Sequence, residues 1–169
     1  MSANHCRAAV VTPFTAAHQQ EVIDLILHIQ NVESQLAISL DDQPDLRDIE
    51  QSYLSAGGGF WVALDEREKV VGTIGLLVKT TEVAVLKKFF VAADWRGAGK
   101  HCASRLYASL IAFARSRGLT TILLDTPSSS TRSHAFYRRQ GFEEIARNEL
   151  PVKYDYPDRG SLLFRLRLE

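Results

Sequence analysis

Cysteine is nearly absent from this chain: two among 169 residues, Cys6 and Cys102, too far apart for any ligand or redox spacing. That excludes a disulfide scaffold and a thiolate metal centre, and leaves two reduced thiols as the expectation. Net charge is absent too. Lys+Arg and Asp+Glu both total 20, so the chain lacks the basic excess with which nucleic-acid and membrane-surface binders neutralise phosphates, and neither partner is expected. No apolar run is long enough to cross a bilayer, and the first residues contain no apolar leader core, which makes a cytoplasmic protein the expectation. The five histidines show no ligand spacing, so no metal is expected. Repeats, linkers and low-complexity tracts are missing as well, which makes residues 1–169 one expected domain.

What is present is a core. At 46% hydrophobic and 24% charged, a chain of this length buries most of the surface that its unfolded form exposes. The order of elements is mixed. A first strand near 7–11 leads through Thr15, a helix N-cap candidate, into a helix at 16–31 whose apolar positions include Val22, Ile23, Ile26, Leu27 and Ile29. A polar stretch, 32–46, precedes a second helix at 44–54. Strands follow at 60–64 and 70–78 around the charged turn 65–69, then at 83–91. Apolar positions Ala103, Leu106, Tyr107, Leu110, Phe113 and Ala114 repeat at helical spacing up to the cap Gly118. The run 120–126 reads as a buried strand parallel to 83–91, joined to it by that helix. A helix at 131–140 and strands at 142–147 and 161–168 complete the order.

Two local patterns carry chemistry. In Arg96, Gly97, Ala98, Gly99, Lys100 and His101, two glycines permit positive φ and close backbone approach just where a helix begins. Several N–H groups can then converge on one anion, an arrangement suited to a pyrophosphate. The second pattern is the block HAFYRRQGF, 134–142.

In this order and spacing the two patterns resemble the GNAT superfamily of acyl-CoA-dependent N-acetyltransferases, and segments 40–49, 58–64 and 144–154 look similar to a bacterial branch of it. The family turn, Arg/Gln-x-x-Gly-x-Gly/Ala, matches at Arg96 and Gly99, with His101 standing where Gly or Ala is usual. The later block matches at Phe136, Tyr137, Gly141 and Phe142, with Ser130 and Ser133 in the Asn and Ala places. The resemblance implies an α/β fold of the α+β type: a mixed, mostly antiparallel central sheet with a splayed parallel strand pair, flanked by helices. It implies acetyl-CoA as co-substrate, its phosphates on the amides of residues 97–101 with Arg96 adding charge, and its pantetheine arm along the backbone of Phe89, Phe90 and Val91. Ser130 takes the place of an Asn that contacts the arm. The implied reaction is acetyl transfer to the amine of a small molecule, with a peptide or protein acceptor, or a non-catalytic acyl-CoA-binding module, as alternatives.

Tyr137 matches the tyrosine that in many relatives protonates the leaving thiolate; the bland alternative is a half-buried aromatic beside Phe136. The base is less clear. Relatives commonly place a carboxylate on the strand equivalent to 83–91, and here that strand has none, so Glu82 at its start is carried as the catalytic candidate beside Asp41, Asp42 and Asp125. The strand carries Lys87 and Lys88 instead. Neighbouring strand residues point to opposite faces, so one lysine faces the cleft and recognises an acidic acceptor, or both snorkel into solvent. His134 reads as a surface residue, and the loop 149–160, with Tyr154 and Tyr156, as a cover over the acceptor site, a hairpin or a homodimer contact.

Overall fold

The computed structural model describes residues 8–97, 99–154 and 160–168. Seven strands form one mixed sheet: β1 (Val10–Pro13), β2 (Gly59–Leu64), β3 (Val70–Val78), β4 (Val83–Val91), β5 (Thr121–Pro127), β6 (Glu143–Ile145) and β7 (Ser161–Arg167). Their order across the sheet is β1-β2-β3-β4-β5-β7-β6, and all neighbours are antiparallel except β4 and β5. The parallel pair is bridged by α2 (Cys102–Ser116), the long crossover that parallel strands require. Among the described residues no helix is long and apolar enough to cross a membrane.

Helices cover both faces. α2 and α3 (Thr131–Arg139) lie on one side, where Leu106, Leu110, Tyr137 and Phe142 pack with Ile74, Leu86, Ile122 and Phe164. On the other side α1 (Gln19–His28) buries Val22, Ile23 and Ile26 against Phe60, Val62 and Tyr53. Gly118, at φ 73°, closes α2 as its sequence position implies; with no Cβ it takes that conformation at little cost.

Three expectations change. The first strand begins at Val10 rather than near residue 7, and Arg7 lies outside the described residues. The helix at 16–31 is a tight turn (Ala16–His18), then α1, then a wider π turn (Ile29–Glu33). The second helix is two separate turns, Pro44–Arg47 and Glu50–Leu54. Asp48 breaks it: the residue sits at φ −148°, ψ 82°, its carboxylate accepts the Gln51 amide (3.1 Å), and Gln19 of α1 accepts the next amide, Ile49 (3.3 Å). Side chains offering acceptors to the backbone compete with continuous helix.

Candidate active site

β4 and β5 pair only over their first three positions, Val83 opposite Thr121, Ala84 opposite Ile122 and Val85 opposite Leu123. Beyond these, β4 stays with β3 as far as Val91 opposite Gly72, and β5 stays with β7 as far as Pro127 opposite Ser161. The two strands therefore splay, leaving a strand-shaped gap in the sheet. Ala92 donates its amide to the Val71 carbonyl (2.8 Å). By the two-residue alternation of an antiparallel ladder, Phe90 spends its backbone groups on β3, while Phe89 and Val91 aim theirs at the gap. Of the three residues expected to pair with an extended ligand, Phe90 is thus the one committed to β3, and on the gap side the Val91 carbonyl already accepts from Arg96 Nε (2.7 Å).

A glycine turn stands at the mouth of the gap. Gly97 and Gly99 have φ of 97° and 88°, and a Cβ at either would meet open space, so this backbone can be approached closely. His101 also adopts a left-handed conformation, φ 58°, and immediately precedes α2. The unusual histidine therefore keeps a backbone path that glycine takes freely, and its side chain is exposed. The first amides of α2 have no helical partner and add partial positive charge at this point. Lys100 places its Nζ 5.8 Å from the centre of the Trp95 ring, and Ala98 lies outside the described residues. Arg96 donates from Nε to the Val91 carbonyl (2.7 Å) and pairs through Nη1 with Glu33 (2.7 Å).

β4 carries a bulge. Thr73 pairs with Phe90 and Gly75 with Lys87, so β3 has one residue, Ile74, where β4 has two, Lys88 and Phe89. Lys88 sits at φ 55°, and its carbonyl accepts a hydrogen bond from Thr73 Oγ1 (2.7 Å). An extra residue shifts the side-chain alternation by one position. Leu86, Phe89 and Val91 point to the α2 side, and Val85 and Phe90 to the opposite one. Lys87 and Lys88 consequently share the α1 side, which corrects the expectation of opposite faces. Neither is a solvated edge residue.

Lys88 is 8% exposed and donates from Nζ to Gln43 Oε1 (2.6 Å). Gln43 and Gln30 exchange amide hydrogen bonds (2.6 and 3.1 Å). Asp45 lies 3.9 Å from the ammonium and accepts from the Tyr53 hydroxyl (2.5 Å). Burial lowers the Lys88 pKa to about 8, with Asp45 opposing the shift and Lys87 adding to it. Lys87 places its Nζ 5.8 Å from the centre of the Tyr154 ring. Nothing in the local pattern marks Gln30, Gln43, Asp45 or Tyr53 as site residues, because the bulge and the loop that join them are set by pairing across the chain.

Asp125 is the carboxylate at the splay, two positions beyond the last paired residue of β5. It shares the face of Leu123. Burial raises its pKa, against the pull of Lys87, Lys88 and the nearby Tyr154 hydroxyl. Tyr137 is 6% exposed, its ring lying against Phe142, Phe164 and Phe89 at 5.6, 6.1 and 6.3 Å. Its pKa is pushed well up, chiefly by burial and next by the charge of Asp125, so it remains a proton-bearing phenol.

Glu82 is not in this group. It is exposed at the paired end of β4, where its carbonyl accepts the amides of Thr120 and Thr121 (2.9 and 3.0 Å). Six residues of strand at roughly 3.3 Å each separate it from Lys88 by about 20 Å, so the fold does not bring Glu82 together with the two lysines. Asp41 is exposed and pairs with Arg47, and Asp42 accepts the Ser39 amide. His134 is buried rather than on the surface, because α3 lays it against Phe164 and its Nε2 donates to the Pro127 carbonyl (2.9 Å). Ser130 precedes α3, donating its amide to Pro127 and accepting from His134. Tyr156 lies outside the described residues.

A mixed sheet splayed at its one parallel pair, with a positive-φ turn leading into the crossover helix, defines the acyl-CoA acyltransferase class of fold. Within that class the chain belongs to the acetyltransferase (GNAT) family, whose model matches residues 24–142. An acetyltransferase from Streptococcus agalactiae is 40% identical, with a TM-score of 0.90 over 96% of this chain and 99% of that one. A GNAT-family acetyltransferase from Staphylococcus aureus is 32% identical, with a TM-score of 0.91 over 96% and 100%. Human N-acetyltransferase 8B is 35% identical over 108 residues, 62% of this chain and 47% of that protein. The chain thus spans about half the length of the curated relatives it matches.

Proposed function

We propose that the protein transfers the acetyl group of acetyl-CoA to the amine of a small molecule that also carries an anionic group. The observation that carries this reading is the meeting, at the β4 bulge, of the splayed gap with a sheet face bearing Lys87, Lys88 and Asp125, with Asp45 beside Lys88. Phe89 and the amide of Val91 offer backbone groups to an extended pantetheine arm, and the amides of Gly97, Gly99 and His101 are available to its phosphates. Acetyl-CoA brings an acetyl thioester to the opening. An ammonium is not nucleophilic, so the acceptor must lose a proton before its nitrogen attacks the thioester carbon. Asp125 takes that proton. The C–N bond forms, the C–S bond breaks, Tyr137 supplies a proton to the departing thiolate, and the proton shed by the adduct nitrogen as it becomes an amide restores the phenol.

Lys87 and Lys88 set the acceptor. Two cations on one face disfavour polyamines and favour a carboxylate, and they also raise the cost of the acceptor's ammonium form. A panel of amines with acetyl-CoA, read by thiol release, should show an amino acid preferred over its carboxamide. Lys87→Met or Lys88→Met should erase that preference. If Lys88 is responsible, the preference should fade as pH rises through about 8, because the side chain then loses its charge. Spermidine outperforming every acidic amine would refute the anionic acceptor.

The cofactor half has its own test. Gly99→Val sets its Cβ in open space, but it forces a β-branched residue toward positive φ, at a cost of about 1–3 kcal/mol. Because the cradle is then rebuilt or distorted, acetyl-CoA affinity measured by calorimetry should fall about tenfold or more. A folded variant of unchanged affinity would place the phosphates elsewhere.

A further inference from the structure

Arg96 is the cation the glycine turn offers to phosphates, yet its guanidinium is engaged at both ends. Nε holds the Val91 carbonyl and Nη1 holds Glu33, each at 2.7 Å. The pair is partly shielded, the Arg96 and Glu33 side chains being 34% and 25% exposed. Glu33 ends the π turn Ile29–Glu33, and Gln30 of that turn is the residue joined to Gln43, which in turn accepts from Lys88 Nζ. The stretch between them is tied together as well, since the Asn31 side chain both accepts from and donates to the Ile38 backbone (2.6 and 2.7 Å). One short segment therefore has the glycine turn at one end and the acceptor-side lysine at the other.

Resting on the acetyl-CoA reading above, we propose that Glu33 is a positioning residue that competes with the cofactor's phosphates for Arg96 and thereby links cofactor loading to the arrangement around Lys88. A pyrophosphate and a carboxylate are both anions with oxygens matched to the guanidinium fork, and they repel each other across it. When phosphate takes Arg96, Glu33 is released, and the π turn loses its tie to the glycine turn. Gln30 moves with that turn, so the amide pair that holds Gln43 against Lys88 loosens. The linkage is reciprocal: an acceptor that draws Lys88 away from Gln43 weakens the same segment and favours cofactor uptake.

The test uses CoA as the probe, with calorimetry and amide hydrogen exchange on the intact protein. Glu33→Gln removes the competing charge, so CoA should bind about three- to tenfold tighter than to wild type, the range expected for losing a partly shielded ion pair. Glu33→Asp should restore wild-type affinity. In wild type, CoA should speed exchange across residues 29–43, and in Glu33→Gln that segment should exchange fast with or without CoA. Weaker CoA binding by Glu33→Gln would overturn the proposal, because Glu33 would then orient Arg96 toward the phosphates. Unchanged exchange across 29–43 would overturn it equally. Wild type that takes up no CoA at all would remove the proposed function and this inference together, whereas wild type that binds CoA no more weakly than Glu33→Gln removes only the role of Glu33.

Discussion

Asp125→Asn is expected to lower turnover about 10²–10⁴-fold, the usual worth of a positioned base, while leaving the protein folded. Asparagine keeps the shape and a carbonyl acceptor but cannot take a proton. Unfolding can be separated from loss of chemistry by the sign of the pKa shift. Asp125 ionises less readily in the folded chain than its ordinary 3.8, so holding it as a carboxylate costs native stability once pH has risen through that interval, and a neutral isostere removes the cost. The melting temperature at pH 7 should therefore be no lower than that of wild type. The acidic limb of the kcat/KM profile should vanish with the substitution. Turnover within tenfold of wild type would mean that water, or the low-dielectric surroundings of the two lysines, deprotonates the acceptor unaided.

Tyr137→Phe should have the second large effect. Its ring is fixed by Phe89, Phe142 and Phe164, and phenylalanine keeps that packing, so only the hydroxyl is lost. CoA affinity should change little and turnover should fall about 10²–10⁴-fold with a good acceptor, the pattern of a group that matters chiefly in the transition state. Stopped-flow or steady-state thiol release separates the two quantities. A fall of less than roughly tenfold, where chemistry limits the rate, would make Tyr137 a packing residue and leave thiolate protonation to water.

The strands and both long helices were legible because their signals are local. Val70–Val78 and Val83–Val91 are dense in β-branched and apolar residues, and α2 repeats its apolar positions at helical spacing up to Gly118. The glycine turn was legible for the same reason. What the chain does not display locally is anything decided by pairing between distant segments. A period-2 reading of β4 sends Lys87 and Lys88 to opposite faces, and only its offset against β3 reveals that they lie together. Asp125 and Glu82 look alike as acids near strand ends, yet the point at which β4 and β5 part puts Asp125 beyond the last paired residues and Glu82 at the closed end. His134 follows the same logic. Helical spacing relates it to Tyr137, but the docking of α3 on β5 and β7 decides that it is buried.

The bulge at Lys88 has a consequence for how this strand can change. It acts as a phase break: the side-chain alternation upstream, which places Lys87 on the α1 side, is uncoupled from the alternation downstream, which places the Phe89 and Val91 side chains on the α2 side. On the proposed role of the two lysines, substitutions at positions 87 and 88 would retune acceptor preference while the downstream half keeps its register. A single-residue deletion there would instead rejoin the two halves and turn Phe89, Phe90 and Val91 over to the wrong sides of the sheet. If the two lysines read the acceptor as proposed, specificity in this strand is free to drift by replacement but locked against changes in length.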